Sequence, residues 1–350
     1  MELNPSSVSK VLVRATNWLG DAVMSLPAIR AVRQIFPHAH LAVVARHWVA
    51  DLYARESAID QVIPYEAQLS LAAKRAFAGR LRTQNFDCAI LLQNAFDAAL
   101  MAWMARIPER IGYRRDGRGL LLTQAIPVPD PGDIPRHERF YYLELLRRCG
   151  LIEHFPPVEF IRLDGIEQAR AAGLRRLAAM GISEPVIGIS PGAAYGNAKR
   201  WPPERFVETA GRLGHPALVF GSAAEHGLCE QVAHGLGAPN LAGKTSLGEF
   251  IDLAASCRLF LTNDSGAMHV ASALGVPTIA IFGATDDTAT GPTGPFARVV
   301  REHAECSPCL LRDCPIDHRC MRRVTSDQVA TAALQLWEDT APAWTHEARS

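Results

Sequence analysis

The sequence predicts an α/β protein built from two doubly wound parallel sheets, and three observations carry that reading. Short runs rich in valine, isoleucine and leucine recur along the chain, each followed by a segment with helical apolar spacing. The runs are apolar throughout and do not alternate with polar residues, as strands covered on both faces must be. The pattern breaks once, at Pro127–Pro135 (PVPDPGDIP), where four prolines in nine residues exclude a regular element, and then a second cycle begins. A chain of 350 residues fits two domains of roughly 100–200 residues each.

In the first cycle, Lys10–Ala15 (KVLVRA) predicts a strand. Asp21–Phe36 predicts a helix whose stripe is Val23, Met24, Leu26, Ile29, Val32, Ile35 and Phe36, with Pro27 in the early turns where a missing N–H costs least. His40–Ala45 and Asp60–Ile63 read as strands, Leu69–Leu81 as a helix, Asp87–Leu92 (DCAILL) as a buried strand and Ala95–Ala105 as a helix. Glu138–Arg148 is a further helix before the irregular stretch at Phe155–Pro157.

The second cycle reads as a helix at Ile166–Ala179, a strand at Val186–Ser190, a helix at Pro203–Leu213 and a strand at Ala217–Phe220. Helices follow at Glu225–Leu236 and Leu247–Ser256, then the strand Leu259–Thr262, the helix Gly266–Leu274, the strand Thr278–Phe282 and a final amphipathic helix at Ser326–Glu338. The expected division is residues 1–160 and 161–350, with the final helix free to pack back on the N-terminal domain. Ligands of such sheets bind beyond the carboxyl ends of the strands, so two sheets would face each other across a central cleft.

Composition narrows the function. Lysine plus arginine (36) equals aspartate plus glutamate (36), so no global field draws in nucleic acid. The longest apolar run, around Thr278–Ala284, is far short of the ~20 residues a membrane helix needs. The N-terminus lacks a basic segment followed by an apolar one, so a cytoplasmic protein is expected. Lysine occurs at Lys10, Lys74, Lys199 and Lys244 alone among 36 basic residues, which makes each lysine worth inspecting.

Four loops that follow strands carry residues suited to chemistry. Asn17-Trp18-Leu19-Gly20-Asp21 leads into a helix whose dipole favours the Asp21 carboxylate, although a plain capping role would also place an acid there. Ser190-Pro191-Gly192-Ala193 lets backbone approach a ligand closely, and Lys199-Arg200 supplies two cations before a proline-led helix. Asn263-Asp264-Ser265-Gly266-Ala267-Met268-His269 opens a helix whose first N–H groups suit a phosphate, with His269 one turn in. In Gly221–Glu225, an acid at Glu225 could accept from ribose hydroxyls. Together these loops point to a phosphorylated nucleotide on the second sheet and a carboxylate on the first. No Asp-x-Asp pair is present, so no divalent metal is expected in catalysis.

Of eight cysteines, Cys88, Cys149, Cys229 and Cys257 read as small buried hydrophobes. Cys306, Cys309, Cys314 and Cys320 form C-x₂-C-x₄-C-x₅-C with His318 inside. A structural zinc, packed reduced thiols and an opportunistic disulfide all remain open on that spacing.

Three stretches, VLVRATNWLGDAVMSLPAIRAVRQIFP, ISPGAAYGNAKRWPPERF and LTNDSGAMHVASALGVPTIAIFGATD, resemble the ADP-heptose:lipopolysaccharide heptosyltransferases of glycosyltransferase family 9. AAYGNAKRWP and CSPCLLRDCPIDHRCM are most like the heptosyltransferase II branch. The resemblance covers about residues 10–338. It implies a GT-B fold of two Rossmann-like domains, the acceptor on the first and the nucleotide sugar on the second.

By the same resemblance Asp21 matches the family's general base and Lys199 its phosphate-contacting lysine, with Asn17, Trp18 and Gly20 on the acceptor side. Ser190, Gly192, Lys199, Arg200, Glu225, Leu247, Asp264, Ser265, Gly266, Ala267 and His269 fall on the donor side. Ala194 and Tyr195 stand where members often carry threonines, which removes side-chain phosphate contacts there. The implied reaction is inverting transfer of L-glycero-D-manno-heptose from ADP-heptose to the lipid A–Kdo–heptose core, most simply the second heptose. It needs no cofactor and implies contact with the inner membrane face, where Arg46, Arg114 and Arg115 are candidates to meet an acidic acceptor. The alternatives are heptosyltransferase I or another family 9 enzyme, a nucleotide-sugar epimerase of the same architecture, and a non-enzymatic metal-dependent interaction module.

Overall fold

In the computed structural model, residues 4–66, 70–183 and 185–341 are described. The chain divides between Glu159 and Phe160 into two compact units. The first contains β1 (Lys10–Arg14), α1 (Leu19–Ile35), β2 (His40–Arg46), α2 (His47–Tyr53), β3 (Gln61–Tyr65) and α3 (Leu71–Thr83). It continues with β4 (Cys88–Leu91), α4 (Phe96–Met104), β5 (Glu109–Tyr113), β6 (Gln124–Ile126) and α5 (Arg139–Arg148). Its sheet has the order β3-β2-β1-β4-β5-β6, every pair parallel. The order reverses between β1 and β4, which makes that junction the switch point where such sheets take ligands.

The second unit contains α6 (Ile166–Ala179), β7 (Ile187–Ser190), α7 (Pro203–Leu213), β8 (Ala217–Val219), α8 (His226–Leu236), α9 (Leu247–Ala255) and β9 (Leu259–Asn263). It is completed by α10 (Gly266–Ala273), β10 (Thr278–Phe282), α11 (Asp287–Thr290), β11 (Ala297–Arg301), α12 (Arg319–Arg323) and α13 (Ser326–Asp339). The sheet order is β11-β10-β9-β7-β8, again all parallel, with its switch point between β7 and β9.

The predicted fold class is thus observed in both units. Both central strands of each sheet, β1 with β4 and β7 with β9, are buried almost along their whole length, as their unbroken apolar runs require. The differences lie at the margins. Helix α1 starts at Leu19, two residues before the expected Asp21, with Trp18 as its N-cap. The helix expected from Leu69 starts at Leu71, and Leu69 itself lies outside the described residues, as do the outer ends, residues 1 and 350, of the expected domains.

The last helix was free, on sequence, to pack back on the N-terminal domain. Its buried residues Val329, Ala333 and Leu336 belong to the core of the second unit, against α7, β10 and β11. Buried Arg258, just before β9, fixes its end: the guanidinium donates to Thr340 Oγ1 at 2.7 Å and lies 4.7 Å from the Trp337 ring.

In the first unit, fully buried Arg118 ties the loops that follow β4 and β5. It donates to the Tyr113 carbonyl at 2.8 Å, to Asn94 Oδ1 at 2.9 Å and to the Gln93 carbonyl. Burial pulls its pKa down to about 10, so it stays charged at neutral pH. Arg118→Met leaves these acceptors unpaired in the interior. The expected loss is about 2–4 kcal/mol in urea unfolding; a loss below about 1 kcal/mol would show that Arg118 is not the tie.

Candidate active site

The second unit gathers polar residues where a sheet interior is ordinarily apolar. Ser190, Asn263, Asp264, His269 and Thr285 are all buried at or beyond the carboxyl ends of β7, β9 and β10. Asn263 is fully buried and spans the switch point. Its Oδ1 accepts from the Trp201 backbone N–H at 3.1 Å, and its Nδ2 donates to the Pro191 carbonyl at 2.7 Å. One amide therefore pins both ends of the loop that follows β7, and the anchored Trp201 donates its indole N–H to the Val324 carbonyl at 2.9 Å and packs edge-on against Phe206.

The pinned loop carries Lys199. Its Nζ donates to Asp264 Oδ2 at 2.6 Å, and Thr285 Oγ1 donates to the same oxygen at 2.6 Å. The two side chains of this ion pair are 15% and 5% exposed, so solvent screens it weakly. The ammonium lies 5.2 Å from the Tyr195 ring, and three N–H donors on one cation leave some free of Asp264.

An aspartate or serine at a helix start ordinarily accepts from its first N–H groups. Ser265 is the N-cap of α10 but caps nothing, because its hydroxyl turns to Thr262 Oγ1 at 3.2 Å, while the Asp264 carboxylate serves Lys199 and Thr285. The first N–H groups of α10, from Gly266 and Ala267, therefore have no side-chain cap and stand beside a lysine.

The remaining donor-side residues are placed as follows. Ser190 closes β7 and Leu247 opens α9 behind the Ser246–Glu249 capping box. Gly192 lies so close to Glu225 that a Cβ there would meet the carboxylate at 2.2 Å. Glu225 Oε2 itself accepts from the Ser222 backbone at 2.9 Å and hydroxyl at 2.7 Å, a capping box on the 3-10 turn Ala223–Glu225 that leads into α8. Arg200 donates to the Ala193 carbonyl of its own loop at 3.3 Å. His269 is buried in the first turn of α10.

Among the described residues no group of three or more His, Cys, Asp or Glu side chains is placed to hold a metal ion. Cys320 packs in the core under Gly283, Cys314 Sγ accepts from the His318 backbone, and the His318 ring turns to Asn197. The segment instead braces the Lys199 loop. The Ala198 N–H donates to the Arg312 carbonyl at 3.1 Å, the Cys314 N–H to Asn197 Oδ1 at 3.1 Å and the Tyr195 hydroxyl to the Leu310 carbonyl at 3.3 Å. Gly196 permits this approach, since a Cβ would stand 2.0 Å from the Arg312 oxygen.

In the first unit, Asp21 lies in the first turn of α1, beyond the carboxyl end of β1, and Gly20 is inside that turn. Asn17 is held on two sides: its Oδ1 accepts from buried Arg14 at 3.2 Å and its carbonyl from the Trp48 indole at 2.8 Å. Trp18 is 61% exposed. Arg46 lies 4.6 Å from the Tyr65 ring and donates to the Glu66 carbonyl, so it is committed locally. Tyr142 of α5 is buried, and burial, then the charges of Asp21 and Glu138, push its phenol well above the ordinary range. The sequence reading missed Tyr142 and Glu138, because nothing in α5 announces its contact with α1, and gave no role to Thr285.

Comparison with known proteins agrees with this geometry. A family model, glycosyltransferase family 9 (heptosyltransferase), matches residues 74–319. The chain belongs to glycosyltransferase family 9. Lipopolysaccharide heptosyltransferase 2 of Escherichia coli K12 is 32% identical over 309 residues, covering 83% of this chain and 88% of that one. Lipopolysaccharide heptosyltransferase 1 of Pseudomonas aeruginosa is 25% identical over 323 residues, 87% of each chain. The solved structure of the E. coli ADP-heptose lipopolysaccharide heptosyltransferase II superposes with a TM-score of 0.82 at 29% identity, over 94% of this chain and 99% of that one. This family 9 chain is therefore a glycosyltransferase with the GT-B fold.

Asn263→Ala leaves the Trp201 N–H and the Pro191 carbonyl unpaired in a buried place. It is expected to cost about 1–3 kcal/mol in thermal or urea unfolding; an unchanged midpoint would mean that the loop is held by other contacts.

Proposed function

We propose that the chain transfers L-glycero-D-manno-heptose from ADP-heptose to the lipid A–Kdo–heptose core of lipopolysaccharide, adding the second heptose. The observation that carries this is the Lys199–Asp264 pair beside the uncapped start of α10: a cation and free N–H donors at one switch point suit a diphosphate. The higher identity with heptosyltransferase 2 than with heptosyltransferase 1 favours the second heptose over the first.

The chemistry follows from the residues. The acceptor hydroxyl oxygen attacks the anomeric carbon as the bond from that carbon to the diphosphate oxygen breaks. The bonding electron pair leaves with ADP, and the hydroxyl proton passes to the Asp21 carboxylate, which contributes about 10²–10⁴-fold. The sugar becomes oxocarbenium-like in the transition state. Lys199 and the N–H groups of Gly266 and Ala267 neutralise the charge growing on ADP, work that such preorganised donors do without reorganising. No step draws on a metal, so transfer should persist in excess chelator.

The lipid-linked acceptor makes the inner membrane face the place of work. Among the described residues no helix is long and apolar enough to cross a membrane, so the contact would be peripheral.

Two variants separate the halves of the reaction. Asp21→Asn is expected to lower transfer by about 10²–10⁴-fold while the Kd for ADP, by titration calorimetry, stays within about twofold. Lys199→Ala is expected to weaken ADP by about tenfold or more. Undiminished transfer in the first, or unchanged ADP affinity in the second, would overturn the assignment, as would loss of activity in chelator.

A further inference from the structure

Helix α4 turns an apolar face to solvent. Its nine residues, Phe96–Met104, bury Ala98, Ala99, Met101 and Ala102 on one side. On the other side Phe96, Leu100 and Trp103 follow at the spacing of a single helical stripe. Phe96 is 46% and Trp103 51% exposed, while Leu100 and Met104 are half-buried. Asp97 is the one charge in the helix, and its carboxylate is taken by the Lys74 ammonium at 2.5 Å and by the Tyr65 hydroxyl. A helix that is apolar all round is ordinarily buried or spans a membrane, and nine residues, about 14 Å, are too short to span one.

The apolar surface continues beyond the helix, and cations flank it. The 3-10 turn Arg118–Leu121 packs on α4, where Leu121 and Met104 cover the same core cluster. That turn holds Leu120 out in water, 97% exposed. Arg106 follows the last turn of α4, its backbone N–H donating to the Trp103 carbonyl at 2.9 Å. The Arg114 side chain lies against Gly119, where a Cβ would meet its Cγ at 3.0 Å. Both arginines are exposed, one beside Trp103 and one beside Leu120. The chain as a whole is neutral, yet residues 71–125 hold nine arginines and lysines against four acids. Each of those acids is engaged: Asp87 by the Ser9 and Lys10 N–H groups, Asp97 as above, Glu109 by Thr123 and Asp116 by Arg115.

We propose that α4 and the Arg118–Leu121 turn form the surface by which the first unit docks on an anionic lipid bilayer. Phe96, Trp103 and Leu120 enter the headgroup layer, and Arg106 and Arg114 meet lipid phosphates. This deepens the reading of a lipid-linked acceptor by naming the face that meets the lipid. Aromatic and aliphatic anchors with arginines at their edge are what an interface between acyl chains and phosphates accepts. A second copy of the chain fits less well, because a two-fold contact would set this arginine-rich face against itself. The position also serves the reaction. Helix α4 starts just past the carboxyl end of β4, β4 pairs with β1, and the turn after β1 carries Asp21. A sugar chain rising from lipid held along α4 has a short path to those strand ends.

Co-sedimentation of the full chain with vesicles tests this, phosphatidylethanolamine with phosphatidylglycerol being set against phosphatidylcholine alone. The chain should bind the anionic vesicles more tightly, and high salt should shrink the difference. Leu120→Glu and Trp103→Gln should each weaken that binding about tenfold, and Arg106→Glu with Arg114→Glu by about tenfold or more. Leu334→Glu, at an exposed leucine of α13 in the second unit, should bind as the unaltered chain does. ADP affinity and the urea midpoint should not move in Leu120→Glu, since that side chain stands in water; should Trp103→Gln fail to fold, Leu120→Glu decides. Equal binding to both kinds of vesicle, binding undiminished in Leu120→Glu, or an equal loss in Leu334→Glu would overturn the proposal. So would a dimer that Leu120→Glu converts to a monomer, which would give the face to a second copy. Transfer to a water-soluble acceptor core freed of its lipid should be unchanged in Leu120→Glu. If the unaltered chain transfers to no such acceptor, the acceptor reading falls, and the vesicle result still decides the surface.

Discussion

The arrangement of the second unit depends on one ion pair, Lys199 with Asp264, made across the junction where its strand order reverses. Asp264 directly follows β9 and Lys199 rides on the loop after β7, so the pair joins two chain segments that the sheet brings side by side. It is nearly dry, and such a pair is tolerated where further hydrogen bonds satisfy the carboxylate; Thr285 supplies one. The next residue, Ser265, is the N-cap of α10, and its hydroxyl meets Thr262 and not the helix N–H groups. An uncapped helix start and an ammonium group are thus set side by side by two adjacent side chains, Asp264 holding the lysine and Ser265 leaving the helix end open.

Each unit holds its switch-point loops with one buried polar side chain. Asn263 does this in the second unit by gripping Trp201 and Pro191. Arg118 does it in the first by gripping Gln93, Asn94 and Tyr113. Behind the lysine loop the cysteine-rich segment is a further brace, making hydrogen bonds through Arg312, Cys314 and Leu310. Loops carrying chemistry need such support, because a displacement of about 1 Å in a reacting group costs roughly 10²-fold in rate.

Much of this was legible in the residues. The buried strands β1, β4, β7, β9 and β10 are unbroken apolar runs and could hardly be read otherwise. β5 (ERIGY) and β11 (ARVVR) escaped because arginine and glutamate interrupt them, and β11 is a half-buried edge. Helix α2 escaped because it follows β2 without a turn residue between them. Asp21 and Lys199 stood out, one beside glycine after a strand and the other as a rare lysine. Glu138, Tyr142 and Thr285 did not, because their meaning comes from partners that only packing supplies. The cysteine spacing left zinc, reduced thiols and a disulfide open, and gave no sign that the neighbouring backbone would serve as a strut for the Lys199 loop.

The most direct test of the account is a crystal structure of the chain with ADP bound. It predicts diphosphate oxygens within hydrogen-bonding distance of Lys199 Nζ and of the Gly266 and Ala267 N–H groups, with the Lys199–Asp264 contact lengthened or shared. A diphosphate seated on the sheet of the first unit, or one that leaves the start of α10 untouched, would contradict it.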